Sequence, residues 1–221
     1  SDVCSSDLFF GTSAGDNATN ANNSNFLGFN AGYCATSACL SNFLGPSAGY
    51  SATYASNSNF LSESAGFCAT NAYNSNFIGA NAGFSATNAN YSNLFGYNVG
   101  SCFTSNNVGS NNIIIGTNIS LPDSVTDSVN IGGILFGTNT YNTTSGNPSI
   151  VPTTNGKVGV GIVSPTANLH IKGSTTAAAL MRLEVGSAPL SPNDGDIWLE
   201  SNTNTGLKIR INGVTKTITL S

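Results

Sequence analysis

Charged residues are scarce in this sequence. They make up 7% of its 221 residues, against about a quarter in typical soluble domains. No lysine or arginine precedes Lys157, and between Phe9 and Pro122 the only charged residues are Asp16 and Glu63. Because a basic surface is what neutralises phosphates, this distribution excludes nucleic-acid binding through a basic patch.

Groups that carry out chemistry are equally few. A nucleophilic triad would have to use the single histidine, His170, and no serine lies in a nucleophile-elbow motif. Asp194 and Asp196 flank a glycine and indicate a polar turn rather than a catalytic pair. The Gly159–Gly161 stretch is not followed by a helix-forming segment, so it predicts no dinucleotide site. We expect no enzyme, no cofactor and no metal.

Neither disulfides nor membrane spans are expected. Cys34, Cys68 and Cys102 fall in one column of a repeat, two repeat units apart, whereas Cys39 stands elsewhere. Positions two coils apart in a stack are separated by about 9–10 Å, which is beyond the reach of a disulfide. We interpret these cysteines as substitutes for serine or alanine. No apolar run is long enough to cross a bilayer, so no membrane insertion is expected.

What the sequence does have is a strict repeat of 17 residues. From Asn25 it reads NFLGFNAGYCATSACLS, NFLGPSAGYSATYASNS, NFLSESAGFCATNAYNS and NFIGANAGFSATNANYS. Glycine recurs in two columns, and Ser62 is the only break in one of them. A fixed period of this length is typical of stacked structural units.

Each unit is too poor in helix formers for a helical repeat, and its short apolar runs are bounded by Gly, Asn and Ser. We therefore predict an all-β fold, a β-solenoid or β-roll of 17-residue coils. The run Ala31–Thr36 is predicted to be a second strand, with Ala31, Tyr33 and Ala35 inside. The threonines of this strand form a predicted outward ladder: Thr36, Thr53, Thr70 and Thr87.

Two adjacent columns at the start of each unit are both apolar. The first contains Phe26, Phe43, Phe60 and Phe77, and the second contains Leu27, Leu44, Leu61 and Ile78. Both columns cannot fill one narrow coil, and an exposed ladder of large apolar side chains would be an interaction surface. We predict that one column packs against other copies of the chain. The alternatives are a wide coil or a covering segment.

The domain organisation follows from changes in pattern. Residues 1–8 resemble a translated sequencing adapter, so we interpret them as an artefact and expect further repeats upstream in the natural chain. The predicted parts are the 17-residue repeats over 9–105, degenerate repeats or a cap over 106–137, a polar linker over 138–155, a β-hairpin element over 156–173, and a β-rich C-terminal tip over 174–221. The tip is predicted to be a small three-stranded β-meander with strands at 196–200, 207–212 and 214–220, in which Asn212–Gly213 is a strong hairpin signal.

The alternation of NFLG with NAGYCAT resembles the β-roll heads of trimeric autotransporter adhesins and the repeats of phage tail fibres. GKVGVGIVSPTANLHIKG resembles an element near the C-terminal tip of phage tail fibres, and GDIWLESNTNTGLKIRINGVTKTITLS resembles terminal segments of phage structural proteins. These resemblances imply a homotrimeric fibre segment of a virion, or an otherwise extracellular one, that attaches to a host glycan or protein receptor. A bacterial trimeric surface adhesin is the alternative, and an ice-binding solenoid that uses the threonine ladder is the third.

Overall fold

A computed structural model describes residues 6–101, 107–140, 155–175, 179–200 and 206–218. Cys4, Cys102 and residues 141–154 of the predicted linker lie outside these ranges. Every regular element within them is a β-strand. The chain divides into two compact units, Ser1–Lys172 and Gly173–Ser221. The prediction of an all-β protein built on a solenoid is confirmed.

The first unit is a stack of parallel strands, one from each coil. Each strand pairs with the next in register, so that Phe26 lies beside Phe43 and Phe43 beside Phe60. Parallel in-register pairing places every column of the repeat on a straight line along the stack, with a step of about 4.8 Å. The eight strands are β1 (Leu8–Phe10), β2 (Asn25–Leu27), β3 (Asn42–Leu44), β4 (Asn59–Leu61), β5 (Asn76–Ile78), β6 (Asn93–Phe95), β7 (Ile113–Ile115) and β8 (Ser128–Ile131).

Phenylalanine fills the interior of the coils. The rings of Phe26, Phe43, Phe60 and Phe77 are fully buried and lie nearly parallel, with centroids 4.7–4.8 Å apart. Three buried alanines per coil complete the interior; in one coil they are Ala48, Ala52 and Ala55. A large ring beside small side chains fills a narrow coil without a second bulky residue, which is why only one of the two apolar columns is inside.

The predicted second strand at 31–36 is wrong. Residues 29–34 form turns, and only Thr36 retains a single-residue bridge to its neighbours. Asn30, Cys34 and Ser37 have φ angles of 55°, 53° and 49°, in the left-handed region. Regular alternation of faces requires extended backbone, so these residues break the alternation and bend the chain around the interior. The abundance of Asn and Ser follows from this, since both occur in short-range turns and asparagine tolerates the left-handed region best.

The prediction that Tyr33 lies inside the coil is therefore wrong. Ala31, Ala35 and Ala38 are buried, whereas Tyr33 lies at the surface and is only half-buried. The inward positions are therefore spaced by three or four residues instead of two. Sequence periodicity alone cannot reveal this spacing, because it depends on where the backbone turns.

Polar side chains tie successive coils together. The buried Ser58 hydroxyl donates to the carbonyl of Ala72 at 2.6 Å and accepts from the Ser75 amide at 3.1 Å. On the outer side, the Asn42 amide donates to the Asn59 side-chain carbonyl, and this bond recurs from coil to coil at 2.7–2.8 Å. Such ladders satisfy the buried polar groups that a coil without helices or long strands would otherwise leave unpaired.

Parallel stacking ends after β8. Strand β9 (Leu135–Thr138) turns back at Gly132–Gly133 and pairs antiparallel with β8, and β10 (Lys157–Val160) pairs antiparallel with β9. The predicted hairpin over 156–173 is wrong, because β11 (Leu169–Ile171) pairs with β10 in parallel. The connection over 161–168 is longer than a hairpin turn and carries the chain back to the starting end of β10.

The second unit contains one small sheet. Its strands are β12 (Val185–Gly186), β13 (Ile197–Glu200), β14 (Leu207–Ile211) and β15 (Val214–Ile218), in that order across the sheet. The last three run antiparallel to one another, as the predicted meander requires, whereas β12 joins β13 in parallel. Asn212 and Gly213 form the tight turn between β14 and β15, with φ angles of 49° and 73°.

Candidate interaction surfaces

The second apolar column lies on the outside of the solenoid. Leu44 is 37% exposed, Leu27, Leu61 and Ile78 are half-buried, and Phe10 is the most exposed of the column. We call this column the outer ladder. Its members are Phe10, Leu27, Leu44, Leu61, Ile78, Phe95, Ile115 and Ile131.

Eight aliphatic or aromatic side chains thus form one uncharged row at the surface. The step of about 4.8 Å gives the row a length of roughly 34 Å. The asparagine ladder flanks it on one side, and Glu63, two residues after Leu61, is the one charged group in the columns beside it over β2–β6. A long uncharged apolar row with a polar ladder along one edge is typical of a surface that associates with another protein.

The predicted threonine ladder is a second straight row. Thr36, Thr53 and Thr70 are joined by parallel bridges, which continue to Thr19 and Thr87. The side chain of Thr19 is exposed, whereas those of the other four threonines are half-buried. The neighbouring column is uneven, because Tyr54 is exposed while the equivalent Ser37 and Asn71 are half-buried. The row is regular, but the surface around it is not flat.

A third row was not recognised from the sequence. Tyr33, Tyr50, Phe67 and Phe84 stack at the surface, with ring centroids 4.8–5.1 Å apart. Their recurrence every 17 residues is visible in the sequence, but the assumed alternation placed them inside. Since each inner ring covers the faces of its neighbours, only ring edges face the solvent, and a sugar cannot stack on the inner rings.

In the described part of the chain, the side chains that could act in catalysis or bind a metal are dispersed. Among the described residues, no three or more His, Cys, Asp or Glu side chains come together as a metal site would require. Asp194 accepts from the Gly213 amide at 2.8 Å and Asp196 from the Asn193 amide at 2.7 Å, so each carboxylate holds a turn. Burial raises the pKa of the Cys68 thiol, which leaves it protonated and weakly nucleophilic at neutral pH.

Comparison with known proteins found no match for this chain among protein families, curated proteins or solved structures. In the part of the chain that the structure describes, no helix has the length and apolar character needed to cross a membrane. The surfaces described above are therefore the basis on which a function is assigned.

Proposed function

We propose that this chain is a structural and adhesive fibre segment that assembles with copies of itself, as a homotrimer, through the outer ladder. The observation that carries the proposal is that the outer ladder lies at the surface, exposed or half-buried, while the coil interior is already filled by phenylalanine. The ladder is not needed for the core, so its apolar character needs another explanation. Covering it would remove several large apolar side chains from water.

The spacing of the outer ladder favours another copy of the chain as its partner. Side chains that recur every 4.8 Å interdigitate along their whole length only with a surface of the same period. A second copy has that period by construction. Like charges would oppose such packing, and Glu63 is the only acidic side chain beside the row over β2–β6.

We place this fibre segment in a virion appendage such as a phage tail fibre, or otherwise outside the cell, with a bacterial trimeric adhesin as the alternative. The motifs quoted above support this location. A stiff parallel stack with few charges suits a shaft or head that holds a receptor-binding surface away from its base. The receptor would be a glycan or protein on the host surface.

The molar mass in solution tests self-association, measured by light scattering coupled to size exclusion. We expect three times the chain mass of 22.5 kDa. Leu61→Glu should lower the mass to that of one chain, because an unpaired charge would be buried in the interface. Thr53→Glu adds the same charge on an outward column away from the ladder and should leave the mass unchanged. A folded wild-type monomer at every concentration would overturn the proposal.

Adhesion is tested separately, by adsorption of the labelled protein to bacterial cells. We expect the wild-type assembly to adsorb to cells of a susceptible host far more strongly than the Leu61→Glu monomer, because several copies bind together. Equal adsorption to all cells, removed by salt, would indicate nonspecific attachment and contradict an adhesive role.

Ice binding is a second candidate, favoured by the straight threonine row. The exposed Tyr54 interrupts the flat surface that such an activity needs. We therefore expect no thermal hysteresis in a freezing assay. A clear hysteresis that Thr53→Glu abolishes and Leu61→Glu leaves intact would favour ice binding over the fibre.

A further inference from the structure

The C-terminal sheet has one face made almost entirely of aliphatic side chains. Pairing places Ile197 beside Ile209, Leu199 beside Leu207 and Ile211 beside Val214. Alternation along each strand then points these side chains to the same side of the sheet. We call this side the apolar face. Its members are Val185, Ile197, Leu199, Leu207, Ile209, Ile211, Val214 and Ile218, with Lys216 on the outermost strand.

The opposite face is different in character. Trp198, Lys208 and Thr217 lie side by side there. Lys208 is buried, and its ammonium group donates to the Thr217 hydroxyl at 2.7 Å. This face also carries Arg210, and the buried indole N–H of Trp198 has no hydrogen-bond partner among the described residues. The sheet therefore has one largely polar side and one apolar side.

The apolar face is open in this unit. Ile197 is 52% exposed, Ile211 40% and Val214 56%. A four-stranded sheet with one apolar face needs a second layer to be stable in water. The residues of the unit outside the described ranges are the short pieces 176–178, 201–205 and 219–221, none of which is long enough to cover four strands.

The one longer piece of this sequence outside the described ranges is 141–154, YNTTSGNPSIVPTT. It contains two prolines and mostly polar residues, and only three of its side chains are large and apolar. Such a segment lacks the period-two apolar pattern that a covering strand would present. It does not match a face of eight aliphatic side chains.

We propose that the apolar face packs against the same face of the other two copies of this chain in the proposed trimer. These faces are equally apolar, and none of them brings an acidic group into the contact. Lys216 stands on the edge strand β15, where its long side chain reaches solvent at the rim. Lysine on an edge strand also disfavours pairing edge to edge, which leaves face-to-face packing as the mode of association.

The size of the face explains why it would not act alone. Four strands of up to five residues cover about 19 Å by 17 Å, roughly 300 Å², whereas a stable interface needs about 800 Å² from each partner. The inference rests on the proposed assembly of the solenoid, because copies already held together by the outer ladder keep the C-terminal sheets at a high local concentration. The sheet then adds specificity and residence time at the C-terminal end.

Hydroxyl-radical footprinting of the wild-type chain tests the inference without any mutation. Leu190, which is fully exposed at 103%, serves as the internal reference. If copies cover the face, Ile211 and Val214 should label about fivefold more slowly than their exposure in one chain predicts. Their labelling should rise when the protein is diluted until light scattering reports a single chain.

Two results of that experiment would overturn the inference. Labelling in proportion to single-chain exposure at every concentration would mean that the face stays open in the assembly. Protection that does not change on dilution to single chains would mean that another part of the same chain covers it.

A matched pair of variants separates this surface from the outer ladder. Val214→Glu places a charge on the apolar face at an exposed position, so the sheet should still fold. Thr215→Glu places the same charge on the opposite face of β15, next to Arg210, whose guanidinium donates to Thr215 at 3.2 Å. We expect Val214→Glu to weaken assembly about tenfold and Thr215→Glu to leave it unchanged.

The two proposals fail in different ways. If Leu61→Glu abolishes assembly while Val214→Glu leaves the dissociation constant unchanged, the C-terminal inference is wrong and the proposed assembly through the solenoid stands. If Val214→Glu weakens assembly and Leu61→Glu does not, the outer ladder is not the interface. Far-UV circular dichroism of each variant confirms that the strands are retained.

Discussion

The solenoid and the C-terminal sheet are both built from short apolar strands, yet among the described residues only the solenoid encloses a core of its own. Phe60 in the solenoid is fully buried, whereas Val214 and Ile197 in the sheet are more than half exposed. The difference lies in the segments that connect the strands. In the solenoid, left-handed residues such as Asn57 and Asn74 bend each coil back on itself. In the C-terminal unit, the tight turn at Asn212–Gly213 joins β14 directly to its neighbour β15 and adds no second layer to the sheet.

Apolar alternation alone therefore does not make a core. A closed coil needs corners, and each corner requires backbone conformations that few residues adopt at low cost. A strand joined by hairpins has only two faces, and its apolar face needs a partner. The stability of the solenoid should therefore depend on its interior and corner residues. The stability of the C-terminal sheet should depend on the layer that covers its apolar face.

The largest effect is expected from Phe60→Ala. Removing a fully buried ring from the stack should lower the free energy of unfolding by about 3–5 kcal/mol. Leu61→Ala, the matched change on the outer ladder, should cost less than about 1 kcal/mol in a protein dilute enough to be a single chain. Guanidinium unfolding followed by circular dichroism measures both values. Equal costs would show that the two columns are not distinguished as inside and outside.

The variants Gly49→Ala and Gly213→Ala compare a corner of the solenoid with a turn of the C-terminal sheet. Gly49 has a φ of 64°, and a β-carbon there would fall on the ring of Phe43. Strain and overpacking together should cost about 3 kcal/mol. Gly213→Ala has a similar φ of 73° but nothing within 4 Å of the added carbon, so it should cost about 1 kcal/mol. Thermal unfolding of both variants would contradict the argument if Gly213→Ala were the more damaging.

The smallest effect is a gain in stability. Ser62 stands in a glycine column with a φ of 116°, where its neighbours Gly45 and Gly79 have 134° and 129°. Ser62→Gly should stabilise the solenoid by about 1 kcal/mol by relieving this strain. Ser64→Gly, at an ordinary left-handed φ of 53°, should be neutral or slightly destabilising because glycine gains entropy in the unfolded chain. A higher melting temperature for Ser64→Gly than for Ser62→Gly would argue against corner strain.

Much of the solenoid could be predicted from the sequence, because a short strand pattern becomes significant when it recurs at a fixed spacing. A single NFLG segment is no evidence of a strand, but its return in register at Asn25, Asn42, Asn59 and Asn76 indicates stacking. The meander at residues 197–218 was predictable from Asn212–Gly213 and alternating aliphatic residues. The hairpin over 156–173 was wrong because the direction of a strand after a longer connection depends on tertiary packing, which local turn residues do not encode.

The candidate surfaces were predictable only in part. The sequence identified two adjacent apolar columns and required one of them to lie outside the coil, but nothing in Phe43 or Leu44 alone says which. It also identified the threonine column, and it missed the aromatic row beginning at Tyr33 because strict alternation was assumed through a stretch of turns.

What the sequence determined by itself is the period, the all-β character and the scarcity of charge, because these depend on which residue types recur and at what spacing. The tertiary structure alone decided which column is inside. A coil bent by left-handed corners is narrow, and it accepts one ring per turn only beside glycine and alanine, as Phe43 shows against Gly49. The tertiary structure also decided that the C-terminal sheet presents an uncovered apolar face, because burial depends on which layers meet and not on the alternation within one strand.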